Sequence, residues 1–281
     1  MKFNCFPKKQ DMYLVYSNYK VFKSRLFLDL ILQSSPKNSI FYRLLESRIG
    51  FYISSIFKYS FTTPNDNPNY IGIIKGSRFI LFEMDNNNFP INVWRMSNHK
   101  HWVQQKFIGF QLLSQYSLVE FNKKYSLIEK AFSIQWDKLN LNTIVHGDFT
   151  HFNILVDIND KIHFIDDKSH VNSKLFDFFY FYSYLNDRLC RCQTINDTDK
   201  EIILEKLEVM IVKVCNYSLE SDFFNDVKDI NIPEAWGLRN EDKQTYVLNF
   251  QERIISSIKI FNASIFIKFK YPWFTPTYFC F

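Results

Sequence analysis

The chain has 281 residues and a formal net charge of +5, with 47% hydrophobic and 22% charged residues. This balance is typical of a globular protein with a core. The positive charge is small and dispersed, so it is compatible with an anionic ligand but predicts no nucleic-acid partner. No run of about 18 uncharged apolar residues occurs, so no transmembrane helix is expected.

The N-terminal sequence and the cysteines predict a cytoplasmic location. The first nine residues, Met-Lys-Phe-Asn-Cys-Phe-Pro-Lys-Lys, contain no apolar segment of the kind found in secretory signals. The chain has five cysteines, and an odd number suits a reducing compartment. No second cysteine pair stands at zinc-site spacing from Cys190 and Cys192, so no zinc site is predicted.

The first third of the chain predicts strands around one helix. Residues 12–16 and 19–23 have the pattern of two short strands. Residues 38–49 carry apolar side chains at helical spacing. Residues 71–74 and 78–84 flank a Lys-Gly-Ser turn, which indicates a hairpin.

The rest of the chain predicts mainly helices. Residues 85–90, Asp-Asn-Asn-Asn-Phe-Pro, have the composition of a linker. Apolar positions between about 97 and 123 favour a long helix, and two further helices are predicted at 198–217 and 241–260. Residues 176–190 are densely aromatic.

One segment carries most of the chemical information. Residues 144–155 read Ile-Val-His-Gly-Asp-Phe-Thr-His-Phe-Asn-Ile-Leu, and Ile162-His-Phe-Ile-Asp166 follows. Phosphoryl transfer requires an acid that orients the acceptor hydroxyl and oxygen ligands that hold Mg²⁺ on the nucleotide phosphates. Asp148, Asn153 five positions later and Asp166 supply these groups in the required order.

This loop resembles that of the aminoglycoside phosphotransferase/choline kinase group of enzymes, His-Gly-Asp-x-x-x-x-Asn. It is most similar to phosphotransferases of bacterial surface-glycan clusters, whose loops are like His-Gly-Asp-Phe-Thr-Pro-Trp-Asn. His151-Phe152 stands here in place of Pro-Trp, and Asp167-Lys168 follows Asp166 where the family often has Trp-Glu. The segment that begins at Asp177 resembles the family's Asp-Leu-Phe-His-Phe, which packs under the catalytic loop.

The resemblance implies an α+β, bilobal protein-kinase-like fold. A small antiparallel-sheet N-lobe, about residues 1–84, would bind the nucleotide. Residues 85–90 would form the hinge or linker. A larger, mainly helical C-lobe, 91–281, would carry the catalytic loop and the acceptor site, with ATP in the cleft between the lobes.

The resemblance also implies the activity, which is transfer of the γ-phosphoryl group of ATP to a hydroxyl of a small molecule, with a sugar or glycan precursor favoured. Asp148 would orient that hydroxyl and receive its proton. His146 would orient the catalytic loop by hydrogen bonding rather than act as the base. Asn153 and Asp166 would bind Mg²⁺.

The nucleotide-binding residues of the N-lobe are less clearly marked. The family needs a strand lysine on the phosphates and an acidic helix residue that holds it. Lys23 is the better candidate for the lysine and Lys20 the second choice, while Glu46, or else Asp29, would be the acidic partner. A solvated strand-end lysine and an exposed helix glutamate explain Lys23 and Glu46 equally simply.

Two further features concern the nucleotide. By analogy with the family, Glu83 and Met84 end the strand whose backbone faces the adenine. The first hairpin turn, residues 7–10, contains no glycine, although close backbone approach to phosphate favours one. The absence of this glycine favours a second hypothesis, in which the chain is a non-catalytic kinase-like scaffold that binds a nucleotide or a partner.

The sequence leaves the acceptor, a second metal site and the C-terminal tail open. Choline-like or aminoglycoside acceptors are compatible with the fold, and aminoglycosides would want an acidic pocket, for which the candidates are Glu220, Asp222, Asp226 and Asp229. His151 and His163 could form a metal site with Asp148 or Asp166, but Mg²⁺ prefers oxygen ligands. The aromatic tail 265–281 predicts packing on the C-lobe or else weak contact with a membrane surface.

Overall fold

The computed structural model describes residues 2–9, 12–23, 52, 56, 58–97, 101–113, 115–141, 144–192, 195–217, 220–234 and 239–270. The chain divides into two compact units, Met1–Ile108 and Gly109–Phe281. The predicted α+β composition is confirmed, because strands dominate the first unit and helices the second.

The first unit is built on one antiparallel sheet. Its strands, in the described part of the chain, are β1 Lys2–Lys9, β2 Met12–Tyr16, β3 Lys58–Ser60, β4 Tyr70–Lys75, β5 Arg78–Met84, β6 Pro90–Ser97 and β7 Val103–Lys106. They lie in the order β3-β1-β2-β4-β5-β6-β7. Buried side chains on one face of the sheet form a cluster that consists of Phe3, Cys5, Val15, Tyr70, Ile74, Phe79 and Leu81. Ile71 and Leu14, which point to the opposite face, are buried as well.

Two local predictions for this unit are wrong. Residues 19–23 do not form a strand: a short helix, α1, spans Tyr19–Phe22, because Asn18 caps it by accepting a hydrogen bond from the Val21 amide at 3.0 Å. Residues 85–90 are not a linker between lobes: residues 85–89 form the turn of the β5–β6 hairpin and Pro90 begins β6. In the turn, the Asp85 carboxylate accepts hydrogen bonds from the amides of Asn87 and Phe89. The division between the units falls later, between Ile108 and Gly109.

The long helix predicted at 97–123 is also wrong in its first part. Residues Val103–Lys106 form β7, which pairs with β6, and Phe110–Gln111 form a further strand, β8. The helix begins only at Leu118. The apolar residues at helical spacing were a weak indicator here, since pairing with a neighbouring strand overrides local preference.

The second unit combines helices with short hairpins. Its further elements are α2 Leu118–Leu141, β9 Ile144–Val145, β10 Ile154–Val156, β11 Ile162–Phe164, β12 His170–Val171, α3 Phe176–Arg191, α4 Asp197–Cys215, α5 Glu220–Val227 and α6 Asn240–Lys270. Strands β11, β10 and β8 form one small sheet, and β12 pairs with β9. The helices predicted at 198–217 and 241–260 are confirmed, the second as part of a longer helix.

The aromatic segment of α3 forms the centre of the second core. Phe178 and Phe181 are fully buried and meet Phe132 of α2 edge to face at 5.1 and 5.0 Å between ring centres. Phe149, between β9 and β10, packs into the same cluster. The core therefore anchors the loop that carries the predicted catalytic residues.

A buried polar cluster ties three helices of this unit together. Glu208 of α4 accepts hydrogen bonds from Arg253 of α6 at 2.6 Å and from Tyr182 of α3 at 2.9 Å. Such a carboxylate is stable in a core because its lone pairs are satisfied and its charge is paired. The cluster therefore joins α3 to α4 and α6 by hydrogen bonds.

The C-terminal aromatic tail is described only in part. Residues 265–270 continue α6, and residues 271–281 lie outside the described part of the chain. Within the described residues, no helix is both long and apolar enough to cross a membrane.

Candidate active site

The predicted catalytic loop, residues 146–153, connects β9 to β10, and its second residue is a glycine that the geometry requires. Gly147 has φ +76°, a conformation that L side chains rarely adopt. A Cβ at this position would lie 2.6 Å from the carbonyl oxygen of Lys168 and 2.7 Å from Nδ1 of His170. Glycine therefore lets the loop approach the segment after β11 closely.

A buried carboxylate below the loop fixes its backbone. Asp177, in the first turn of α3, accepts hydrogen bonds from the amides of His146 at 2.8 Å and Gly147 at 3.0 Å, and from Nε2 of Gln135 at 2.6 Å. Burial raises the pKa of Asp177, while these donors act in the opposite direction. The expected packing of the Asp177 segment under the loop is thus observed, and Gln135 is a partner that the sequence did not reveal.

His146 is buried and turned into the loop. Its Nδ1 accepts a hydrogen bond from the Asp148 amide at 3.3 Å, and its ring packs against Phe149 and Phe164. No described group is hydrogen-bonded to its Nε2. A fully buried imidazole cannot meet an acceptor hydroxyl, so the geometry favours the orienting role over that of a base.

The Asp148 carboxylate is reachable from solvent and has a partner on each oxygen. Its Oδ1 accepts from the Tyr180 hydroxyl at 3.1 Å, and its Oδ2 lies 2.6 Å from Nζ of Lys168. Burial and the charge of Asp148 both raise the pKa of Tyr180, so Tyr180 remains a hydrogen-bond donor. The carboxylate is therefore held in one orientation at the mouth of the loop.

Asn153 and Asp166 are brought together by the β10–β11 hairpin. The pairing of Ile154 with Phe164 places Asn153 opposite Ile165, whose amide donates to the Asn153 carbonyl at 2.9 Å. Asp166 is the next residue. The Nδ2 of Asn153 donates to the carbonyl of Asp148 at 2.8 Å, which leaves its Oδ1 as an oxygen ligand.

These residues fit a magnesium ion of the kinase type. Asp166 has φ +55° and is exposed, and no described group is hydrogen-bonded to its carboxylate. A strained backbone at an exposed, unpaired carboxylate is a feature of functional sites. Oxygen ligands from one Asp and one Asn suffice, because nucleotide phosphates and water complete the coordination of Mg²⁺.

The imidazole-based metal site considered from the sequence is not formed. Among the described residues, no three His, Cys, Asp or Glu side chains cluster as metal ligands. His163 instead pairs with Asp157 at 3.0 Å, and Nε2 of His151 lies 3.0 Å from the Tyr116 hydroxyl.

Lys168 is a site residue that sequence reasoning missed. Its backbone amide donates to the His146 carbonyl at 2.9 Å, and its side chain is 68% exposed apart from the ion pair with Asp148. The available signal was the replacement of the family's Trp-Glu by Asp167-Lys168. The neighbouring Asp167 lies 3.6 Å from Lys138 and accepts from Ser169, so it is less available as a metal ligand than Asp166.

In the first unit, Glu83 and Met84 do not offer the backbone that adenine would need. Strand β5 lies between β4 and β6, and Glu83 is paired with Tyr70 on one side and Asn92 on the other. The Met84 amide donates to the Asn69 carbonyl at 2.9 Å. Because the sheet uses these groups, the predicted adenine contact at this position is wrong.

The Glu83 side chain has a structural role instead. It is 6% exposed and accepts hydrogen bonds from Asn65, Asn67, Asn92 and Trp94. Burial acts to raise the pKa of Glu83, but these four hydrogen bonds outweigh it and lower the pKa. The carboxylate thus fastens the loop before β4 to the sheet.

The lysine predictions have mixed outcomes. Lys23 does not end a strand: it caps the C-terminus of α1 with its Nζ 5.0 Å from the centre of the Tyr19 ring. Lys20 is exposed and donates to the Asn86 carbonyl. Glu46, Asp29 and the helix predicted at 38–49 lie outside the described residues, so the lysine–glutamate pair stays a prediction.

Comparison with known protein families identifies one similarity. Residues 80–174 match the model of the RIO domain, a kinase-like family, and this span includes Asp148, Asn153 and Asp166. No curated protein and no solved structure matches the chain.

The match and the architecture together define a kinase-like fold with a sheet-based first unit and a helical second unit. The similarity covers about a third of the chain and supports a kinase-like, ATP-binding function. It does not support the aminoglycoside phosphotransferase/choline kinase family in particular.

Proposed function

We propose that this chain is an ATP-dependent phosphotransferase that moves the γ-phosphoryl group to a hydroxyl of a small molecule, most simply a sugar or glycan precursor. The observation that carries the proposal is the arrangement around Asp148. A solvent-reachable carboxylate is oriented on both oxygens, and Asn153 and Asp166 lie on the adjoining hairpin with side-chain oxygens to which no described group is hydrogen-bonded.

The residues divide the chemistry between them. Asp148 orients the acceptor hydroxyl and takes its proton as the new bond from the hydroxyl oxygen to the γ-phosphorus forms. The bond between that phosphorus and the β,γ-bridging oxygen breaks, and ADP leaves with the electron pair. Mg²⁺, held by Asn153 and Asp166, would neutralise the charge that collects on the phosphate oxygens.

Lys168 has a place in this scheme. The Lys168 ammonium lies beside the proposed base, Asp148. When the acceptor hydroxyl replaces Lys168 as the partner of Asp148, the ammonium can contact a phosphoryl oxygen. Its exposed stem leaves it free to move between the two positions. Lys168 would therefore neutralise the charge of Asp148 in the free protein and the charge of the phosphoryl group during transfer.

A turnover assay with Mg·ATP against a panel of neutral, phosphorylated and acidic sugars tests the proposal. We expect ADP release that depends on one class of sugar, and a loss of roughly 10²–10⁴-fold in Asp148→Asn, the scale of general-base catalysis. Mg·ATP binding should persist in that variant, because Asp148 is not a metal ligand in this scheme.

The second candidate is a non-catalytic kinase-like scaffold. It is favoured by the placement of Lys23 on a helix, which leaves no lysine at the predicted strand position among the described residues. Mg·ATP binding without acceptor-dependent turnover, equal in the wild type and Asp148→Asn, would support the scaffold. Phosphate incorporated only into added protein would contradict the small-molecule acceptor.

A further inference from the structure

One face of α3 extends from the catalytic aspartate to an arginine that lacks an anionic partner among the described residues. Tyr180, Tyr184 and Arg188 follow one another at four-residue spacing, so they lie on one side of the helix. Tyr180 donates to Asp148, and its ring centre is 6.2 Å from that of Tyr184. We call this row, together with Phe152, the α3 stripe.

The far end of the stripe is a guanidinium above two rings. The Cζ of Arg188 lies 4.9 Å from the centre of the Tyr184 ring and 5.9 Å from that of Phe152. One terminal nitrogen donates to the Tyr184 hydroxyl, whereas Nε is buried without a hydrogen-bond partner in the described part of the chain. The planar cation is thus oriented by the rings while part of its donor capacity is unused.

No described carboxylate forms an ion pair with Arg188. The nearest acid in sequence, Asp187, forms its ion pair with Arg191 at 2.8 Å. His151, packed beside the Tyr184 ring, is fully buried, and burial together with the charge of Arg188 lowers its pKa to about 3. Tyr116, which meets His151, remains protonated because burial raises its pKa.

The charge of Asp187 acts on Arg188, but no described carboxylate is in ion-pair contact with it, and a partly buried guanidinium in that state favours a ligand that brings an anion. We propose that the stripe is the acceptor site, and that the acceptor is a sugar carrying a phosphate or carboxylate. Its reacting hydroxyl would lie at Asp148 and its anionic group at Arg188, with the sugar face on the intervening rings. This inference rests on the proposed function and names the substrate class for that site.

The dimensions set the kind of acceptor. Eight residues separate Tyr180 from Arg188, which corresponds to about 12 Å along the helix axis at about 1.5 Å per residue. The anionic group must therefore be separate from the carbon that bears the reacting hydroxyl. Sugar phosphates and short acidic glycans meet this condition, whereas a small neutral alcohol does not.

The test compares Arg188→Met with Arg191→Met as the matched control. Methionine keeps an apolar stem over the rings but removes the charge, and Arg191 is an exposed arginine on the same helix. Binding of hexose 6-phosphates, hexuronic acids and the parent hexoses would be measured without nucleotide by calorimetry. Turnover of the same compounds with Mg·ATP would follow.

We expect the wild type and Arg191→Met to prefer anionic sugars over neutral ones. Arg188→Met should lose roughly 10- to 100-fold of that preference, the scale of one or two charge-assisted hydrogen bonds. Arg188→Lys should retain part of it, because lysine keeps the charge but not the planar fork. Retention of Mg·ATP binding in Arg188→Met would show that the variant is folded.

Three results would overturn the inference: equal binding of anionic and neutral sugars by the wild type, an equal loss for both in Arg188→Met, or a selective loss of Mg·ATP, which would assign the arginine to the nucleotide. Failure of the proposed function has a different signature. In that case anionic sugars would bind in an Arg188-dependent manner, but no phosphate would be transferred to them.

Discussion

The sharpest structural prediction concerns Asp177, a buried carboxylate that holds the backbone of the predicted catalytic loop. In Asp177→Asn the side chain keeps its shape, but one of its two acceptor oxygens becomes an NH₂ group. That group would face a donor, either a loop amide or the Gln135 amide, all of which now donate to the carboxylate.

The expected loss can be worked out from these three hydrogen bonds. A hydrogen bond to a charged group contributes about 1.5–3 kcal/mol, and leaving a buried donor unsatisfied costs about 1–3 kcal/mol. Asparagine retains one or two of the three bonds, and relief from burying a charge offsets part of the loss. We expect the free energy of unfolding of the second unit to fall by about 2–4 kcal/mol.

The same change should slow catalysis. If the amides of His146 and Gly147 lose their anchor, Asp148 shifts, and a misplacement of about 1 Å can reduce turnover by about 10²-fold. Denaturant unfolding and turnover would be measured together. The matched control is Asp187→Asn on the same helix, where an i,i+4 pair with Arg191 should contribute only about 0.3–0.5 kcal/mol.

Asp177→Asn with wild-type stability and turnover would refute the reasoning, since the loop would then be fixed by other contacts. A loss of the same size in Asp187→Asn would also refute it. In that case the effect would belong to α3 in general and not to the loop anchor.

Four more substitutions test the remaining assignments. Asp166→Ala should abolish most of the thermal stabilisation by Mg·ATP, because ligand stabilisation follows binding to the native state; an unchanged shift would move the ligand to Asp167. Lys168→Met should reduce turnover while Mg·ATP binding stays within a few-fold, and unchanged turnover would make Lys168 a surface residue. Lys23→Ala should weaken Mg·ATP binding if the lysine contacts phosphate, and equal activity would show that it does not. His151→Gln should make stability less dependent on pH in the acid range. Burial lowers the pKa of His151 to about 3, so below about pH 6.5 the unfolded chain binds a proton that the folded chain does not, and the wild-type free energy of unfolding should fall by up to about 1.4 kcal/mol per pH unit between those two values. Parallel curves of stability against pH for the wild type and the variant would contradict this.

The sequence alone identified the loop and hairpin that carry the candidate site residues, because their spacing depends on local structure. The order of Asp148, Asn153 and Asp166 depends on a tight loop followed by a hairpin, and both are local structures with recognisable residues. Gly147 is required by its own backbone conformation, so its position in the motif is also a local property. Helices α4 and α6 were predictable because their apolar positions repeat over several turns.

Tertiary contacts decided the rest. The segment predicted as a helix from residue 97 forms strands, since β6 and β10 supply hydrogen bonds to Val103–Lys106 and Phe110–Gln111 that no local pattern reveals. Glu83 ends a strand as predicted, but only the packing of the sheet shows that its carboxylate and backbone are already occupied.

The contacts that Lys168 and Tyr180 make with Asp148 likewise could not be predicted from the sequence. Lys168 reaches it because β12 pairs with β9, and Tyr180 reaches it because Asp177 binds the loop to the start of α3. These residues lie 20 and 32 positions away along the chain. A motif specifies which groups the chemistry needs, but contacts between distant segments determine which other groups surround them, because those contacts depend on how the core packs and not on local spacing.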